Sequence, residues 1–242
     1  MFTVRDRIKS SHLGRDKKIR LSKLIEIIQD ACQIQLDNCE VTQEYFSRCN
    51  ATTYIIYWQI DLLGDFHYGM DIDVSTYVYS MKKTYGERNV FIRDDKGDLL
   101  VQAAGGGANV NKDTGEKCPM PKDILAVYPL EEKWDMEYLS RKVHFPAEAE
   151  EKFMEPVKVS KSMIDYNGHV NNARYLDICE EYLRDDFDVA RFMIAYQKPA
   201  KYGDTIHPVL YDTEDQIGIA LEDENRECYI KVMYYKRGSL DN

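Results

Sequence analysis

The sequence predicts an α+β fold made of two diverged copies of one unit. Three features carry that expectation. Segments of strict two-residue alternation dominate both halves of the chain, as strands with one packed face require. Each half also holds one stretch of three- and four-residue apolar spacing, the mark of an amphipathic helix, ahead of its alternating segments. Finally, WQIDLLGDFHYGMDI, from Trp58, lies on FMIAYQKPAKYGDTI, from Phe192, without a gap. Ile60 then meets Ile194, Tyr68 meets Tyr202, Gly69 meets Gly203 and Ile72 meets Ile206, as in an internal repeat.

In chain order, residues 2–9 alternate, with Phe2, Val4 and Ile8 to one side, and read as a strand. Residues 12–20 form a basic loop, HLGRDKKIR, whose ordinary meaning is solvated surface. Ser22 can cap a helix running to Asp37, with Leu24, Ile25, Ile28 and Cys32 on its packed side. Strand patterns follow at 53–63, where Tyr54, Ile56, Trp58, Ile60 and Leu62 share a face, and at 71–81. Residues 90–93 and 99–104 flank the turn DDKG. Gly105 to Gly107 is not followed by GK[ST], so a phosphate loop is not expected, and glycine within a strand marks a bulge or a close approach.

Four of the seven prolines fall between Cys118 and Glu155, and they mark a connector between the halves. Trp134, Tyr138 and Leu139 indicate that this connector packs on the surface. The expected organisation is therefore residues 1–120, a connector at 121–155, and residues 156–242. The second half opens with an alternating strand at 156–163. After its helix, strand patterns return at 190–197, 205–211, 217–221 and 227–235.

The most informative stretch is IDYNGHVNNARYLDICEEYL, residues 164–183. Asp165, Asn167 and His169 fall at alternate positions, which in an extended chain would point all three side chains one way. Asn171 and Asn172 are good N-cap residues, and Ala173, Leu176, Cys179 and Leu183 keep helical spacing. A carboxylate, an amide and an imidazole thus stand before a helix N-terminus, whose unpaired N–H groups suit a developing oxyanion. Taken singly, such residues are caps, turns or a structural histidine; the ordered set is what points to chemistry.

DYNGHVNNARY resembles the catalytic segment of acyl-ACP thioesterases, D-x-N-x-H-V-N-N-x-x-Y. Each fixed position is met, by Asp165, Asn167, His169, Val170, Asn171, Asn172 and Tyr175. The resemblance implies a double hotdog, in which each copy wraps an antiparallel sheet around a long helix. It further implies that the N-terminal copy houses the acyl chain and the C-terminal copy the catalytic set. The first half has Asp16 ahead of its helix, but Lys18 and Arg20 stand where the second has Asn167 and His169. Plant members also carry a Glu-Cys pair in the strand after the helix; here Pro199 and Ala200 fall there, so a cysteine nucleophile at that place is excluded. A required carboxylate must come from Asp165, or from Glu180 or Glu181 on the helix.

The chain of 242 residues, 44% hydrophobic, can bury one large core or two ordinary ones. A net charge of −10 argues against nucleic acid as a main partner. No apolar run reaches membrane-spanning length, and MFTVRDRIKS lacks a signal-peptide core, so a cytoplasmic protein is expected. Six cysteines, with no pair at metal-site spacing, fit reduced thiols, and Cys32 and Cys179 lie on apolar helix faces. The five histidines are scattered and no G-x-S-x-G occurs, which disfavours a metal hydrolase and a serine hydrolase. No cofactor or metal is called for.

Thioester hydrolysis suits the remaining chemistry, because a thiolate leaves readily and the protein has mainly to place water and hold an oxyanion. His169 would activate water, and Asn167 would hold the carbonyl or orient the water. Backbone N–H groups of Val170, Asn171 and Asn172 would complete the oxyanion site. Asp165 would orient its neighbours, act as base or attack directly. Leu24, Ile28, Cys32, Trp58 and Ile60 are candidate walls of an acyl tunnel, with Gly106 widening it, although core packing explains them equally well. The partner implied is acyl carrier protein, which is acidic, so docking on this acidic chain needs a local basic patch. Arg174, Lys198, Lys201 and Lys161, or the loop at 15–20, can supply one. An acyl-CoA thioesterase, a non-catalytic acyl-binding hotdog and a hotdog dehydratase are the competing readings. Two copies in one chain already supply the pairing that single hotdogs reach by dimerising, so monomer and homodimer both fit.

Overall fold

Alternating burial in strand β1 (Phe2–Arg7) opens the chain in the computed structural model, which describes residues 1–239. A one-turn 3-10 helix (Ser10–His12) and a tight loop lead into helix α1 (Leu21–Asp37). Helix α2 (Glu40–Cys49), strands β2 (Ala51–Leu62), β3 (Asp71–Lys82), β4 (Tyr85–Asp94) and β5 (Leu99–Asn111), and a short helix α3 (Lys122–Val127) follow. Then come β6 (Glu151–Phe153), β7 (Val157–Lys158), a second 3-10 turn (Lys161–Met163) and helix α4 (Asn172–Glu180). Strands β8 (Val189–Tyr196), β9 (Thr205–Asp212), β10 (Gln216–Glu222) and β11 (Cys228–Lys236) complete the order. The fold is α+β, and the pairs β1·β3, β3·β4, β4·β5, β8·β11, β10·β11, β9·β10, β6·β9 and β7·β9 are all antiparallel.

The chain divides into two compact units. The first comprises Met1–Ile19, Glu26–Trp58 and Leu63–Tyr138. Its strand order is β1-β3-β4-β5-β2, with Ile72, Val74, Val90, Ile92, Val101 and Ala103 buried. Helix α2 was not foreseen in the sequence. It ends on Asn50 in the left-handed conformation (φ 47°), a common helix stop. Tyr45 of α2 is fully buried in a cluster with Val78, Met120, Ile124 and Tyr128, and its hydroxyl donates to the Cys118 carbonyl at 2.5 Å. Arg48 of α2 grips Asp123 of α3 through two bonds of 2.8 and 2.9 Å.

The glycine run corrects the expectation that Gly106 widens a tunnel. A Cβ at Gly105 would lie inside the ring of Trp58, and one at Gly106 would collide with Tyr85 and Tyr57. The glycines make room for buried aromatic rings, so β5 runs straight through them beside its neighbours.

The second unit comprises Arg20–Ile25, Gln59–Leu62 and the chain from Leu139 on. Its order is β8-β11-β10-β9, with β6 and β7 both on the far edge of β9 and the end of β2 beside β8. There Arg191 of β8 holds Asp61 of β2 through bonds of 2.6 and 3.0 Å, both residues being buried. Two charges so deeply placed persist only because each satisfies the other in forked geometry.

The same path recurs in both units. The 3-10 turns at Ser10–His12 and Lys161–Met163 precede bridges Leu13↔Ile19 and Ile164↔Val170. Gly69 donates to Ile8 and Ile8 to Met70; Gly203 donates to Val159 and Val159 to Asp204. Gly69 (φ 82°) and Gly203 (φ 90°) share a left-handed conformation suited to glycine. The gapless pairing of Gly69 with Gly203 therefore holds in the backbone.

Helix α1 is not capped by Ser22, which lies inside the helix and is fully buried. Glu180, at the end of α4, accepts the Ser22 N–H at 2.8 Å, with the Leu21 N–H also pointing to it. Burial pushes the Glu180 carboxyl from 4.5 up to about 7, against the opposing pull of those N–H groups. A carboxyl raised in the folded chain adds stability in full below its unfolded pKa, and that contribution is lost as pH rises through the folded value. Glu180→Gln keeps an acceptor without the charge. Denaturant midpoints should show the wild type losing about 3 kcal/mol relative to this variant between pH 4.5 and 8. Parallel pH profiles of the two proteins would contradict the assignment.

Candidate active site

The segment before α4 is a tight turn, where extended chain was expected. Asp165 N–H donates to the His169 carbonyl at 2.8 Å, and Gly168 N–H to the Asp165 carbonyl at 3.1 Å. Gly168 has φ 79°, a conformation that a side chain would strain. The Asn167-Gly168 pair is a strong turn signal that the alternating pattern of the polar residues concealed. The three residues are thus gathered by a turn and not by strand alternation.

Asp165 organises that turn. Its Oδ1 accepts the Asn167 N–H at 2.8 Å and the His169 N–H at 3.4 Å, and its Oδ2 lies 3.4 Å from the Asn167 amide nitrogen. This is an Asx-type turn closed by a carboxylate. Asn167 is exposed, whereas Asp165 and His169 are half-buried. The carboxylate therefore brings Asn167 and His169 to one short loop at the entry to α4.

Two of the proposed oxyanion donors are already engaged. Val170 N–H donates to the Ala200 carbonyl and Asn171 N–H to the Met163 carbonyl, each at 2.9 Å. Asn171 is the N-cap of α4, its side chain accepting the Ala173 N–H at 2.9 Å. Val170 and Asn171 thus hold the loop, and their N–H groups cannot also hold an oxyanion. Asn172 is the first residue of α4.

A further brace went unread in the sequence. Ala200 N–H donates to the buried Tyr175 hydroxyl at 2.9 Å, so Ala200 is bonded at both its N–H and its carbonyl. Burial pushes the Tyr175 hydroxyl up to about 12. The motif string includes Tyr175, but nothing in the spacing tells that its partner lies in the β8–β9 loop. Pro199 is exposed beside it.

The remaining candidates are placed as follows. Leu24, Ile28, Cys32, Trp58 and Ile60 are buried. Glu180 caps α1 and Glu181 is the exposed C-cap residue of α4. Arg174 is ion-paired with Asp177, and Lys198 is held by Asp223 at 2.5 Å and Glu227 at 2.7 Å. These two are therefore not the open cations that docking was expected to use, whereas the Lys201 side chain is exposed. A shallow pocket of about 260 Å³ lies against the outer face of α4. Val157, Met163, Ile178 and Tyr182 give it an apolar floor, but Asp165, Asn167 and His169 do not line it. Among the described residues no group of His, Cys, Asp and Glu is arranged to hold a metal ion. Among the described residues no helix is long and apolar enough to cross a membrane.

Comparison with known proteins adds to this geometry. Residues 1–128 match the family model "Acyl-ACP thioesterase N-terminal domain", and residues 147–237 match "Acyl-ACP thioesterase C-terminal domain". No curated protein matches the chain. Among solved structures, an acyl-ACP thioesterase from Bacteroides thetaiotaomicron is similar at 18% identity, with 96% of each chain covered and a TM-score of 0.83. A putative oleoyl thioesterase from Lactobacillus plantarum is 21% identical, covering 96% of this chain and 94% of that one, with a TM-score of 0.81. A 12:0-ACP thioesterase from Umbellularia californica is 16% identical over 98% of this chain and 93% of that one, with a TM-score of 0.79. At these identities the likeness speaks for the fold.

The brace makes its own prediction. Tyr175→Phe leaves the buried Ala200 N–H without its acceptor, at a cost of about 1–3 kcal/mol in denaturant unfolding. Amide hydrogen exchange at Ala200 and Val170 should quicken. Unchanged exchange at both would show that the hydroxyl does not fasten the two loops.

Proposed function

The chain belongs to the acyl-ACP thioesterase family, and on that premise we propose that Asp165, Asn167 and His169 are its catalytic set. The protein hydrolyses acyl-ACP thioesters, releasing free fatty acid in fatty acid biosynthesis. The observation that carries the residue assignment is the Asp165 turn, which presents Asn167 and His169 on one loop at the start of α4.

His169 takes a proton from water as that water attacks the thioester carbonyl. The tetrahedral intermediate then collapses, the C–S bond breaks, and the thiolate recovers the proton. Acid and thiol are the products, with one water consumed. The His169 imidazole is half-buried, and no side chain or carbonyl among the described residues ties it down. Asn167 is exposed and can turn its amide to the thioester oxygen. Asp165 is the orienting group in this reading, since its carboxylate already accepts the N–H groups that shape the loop. The oxyanion then relies on the Asn167 amide and the first turn of α4 at Asn172.

The chain is read as a double hotdog, with copies at 1–120 and 156–242 joined by the segment 121–155, although the short pieces Arg20–Ile25 and Gln59–Leu62 belong to the second unit. The matched hydrogen bonds at Gly69 and Gly203 support that reading. The N-terminal copy takes the acyl chain; of the candidate wall residues, Ile28, Cys32 and Trp58 belong to the first unit, and Leu24 and Ile60 to the second. Each further methylene covered adds about 0.8 kcal/mol until the space ends. The six unpaired cysteines fit a cytoplasmic setting.

The test is thiol release from acyl-ACPs of graded chain length. His169→Ala should lower kcat by about 10²- to 10⁴-fold, and Asn167→Ala should also fall steeply, both with unchanged far-UV circular dichroism. Asp165→Asn keeps an oxygen for the turn and should retain more activity than His169→Ala. A loss as deep as that of His169→Ala would make Asp165 a reacting group.

A further inference from the structure

Around the catalytic turn stand four exposed side chains to which the fold gives little to do. Tyr166, within the Asp165–Gly168 turn, is 91% exposed, and Tyr202, in the β8–β9 loop, is 60% exposed. The Lys161 ammonium lies 5.6 Å from the centre of the Tyr202 ring. Lys201 is exposed next to it and is bonded through its backbone, its N–H donating to the Asp204 carboxylate at 2.8 Å and its carbonyl accepting the Asp204 N–H at 3.1 Å. Among the described residues neither Lys161 nor Lys201 is paired with a carboxylate, unlike Arg174 and Lys198.

These residues sit on segments fastened side by side. Val170 N–H bonds the Ala200 carbonyl at 2.9 Å, and Val159 N–H bonds the Asp204 carbonyl at 2.9 Å. The β8–β9 loop is thereby tied to the chain on both sides of the 3-10 turn at Lys161–Met163. Two large rings and two open ammonium groups therefore share the neighbourhood of the catalytic loop.

We propose that Tyr166, Tyr202, Lys161 and Lys201 form the surface on which the acidic carrier protein lands while its thioester reaches the Asp165–His169 loop. This rests on the acyl-ACP thioesterase reading and names how that substrate is recognised. The argument is one of charge. This chain carries −10 overall, so an acidic partner meets repulsion at a distance. Salt screens that repulsion beyond about 8–10 Å, and inside that range only nearby unpaired cations count. Lys161 and Lys201 fill that role because neither ammonium is in ion-pair contact with a carboxylate. Exposed tyrosines add contact area at a small cost in side-chain entropy.

The experiment compares one acyl group on three leaving groups: carrier protein, coenzyme A and pantetheine. In the double variant Lys161→Glu/Lys201→Glu, kcat/KM on acyl-ACP should fall at least about tenfold, through KM, and its salt dependence should weaken or reverse, since added salt then screens repulsion. Tyr202→Ala should weaken the same arm. Hydrolysis of acyl-pantetheine should stay within about twofold of wild type, since that substrate has no charged partner to place. An equal fall on acyl-pantetheine would mean loop damage and overturn the proposal. So would an unchanged acyl-ACP arm, or an acyl-CoA arm that falls as far as the carrier arm, which would point to phosphate recognition. If the wild type hydrolyses none of the three, the thioesterase reading itself fails, and this surface with it.

Discussion

A carboxylate folded back on its own backbone sets the geometry of the segment before α4. Because Asp165 accepts the N–H groups of Asn167 and His169, the chain reverses within five residues and re-enters beside Ile164 at Val170. That reversal allows Val170 to be buried, its N–H to reach Ala200, and Asn171 to cap α4. Each of these contacts fixes the loop at its base and leaves its tip to solvent. The arrangement suits a site that must hold two side chains steady while a large substrate approaches from outside.

The first unit shows what the turn looks like without that chemistry. Gly14 donates to the Lys18 carbonyl and Lys17 to the Gly14 carbonyl, as Asp165 and Gly168 do in the second unit. Lys17, at φ 64°, stands where Gly168 stands. In this register Gly14 corresponds to Asp165, Asp16 to Asn167 and Lys18 to His169, a shift from the pairing of Lys18 with Asn167 read in the sequence. Asp16 still accepts the Lys18 N–H at 3.0 Å, so a carboxylate still shapes the turn from a different position. The backbone form is shared by the two units, and Asn167 and His169 stand in the second alone.

What the sequence made legible follows from the range of each interaction. Strands such as residues 71–81 and 205–211 were readable because alternation is a local consequence of one buried face, and β3 and β9 lie there. Helix α1 was readable for the same reason, but its cap was not, since Glu180 arrives from another helix. Helix α2 escaped because EVTQEYFSRC buries only Thr42 and Tyr45, too few for a periodic face. The strand expected at 156–163 shrank to Val157–Lys158, because the chain leaves the edge of β9 for a 3-10 turn. At the site, residue identity was legible and conformation was not. Alternate spacing fits both a strand and a two-step turn, and only the Asn-Gly pair distinguishes them.

Electrostatics in this chain is decided by pairing more than by totals. Its cations are outnumbered, 32 against 42 acidic residues, and arginines such as Arg7, Arg48, Arg184 and Arg191 take many of the ion pairs. Lys198 is claimed by two carboxylates of one β-turn, and Arg174 by the residue one helical turn on. Their charge is spent on shaping this chain and has little field left for a partner. Lys161 and Lys201 carry no ion pair and stand on segments tied to the loop that bears His169, so on the proposed reading their field is open to an acidic partner within a few ångströms.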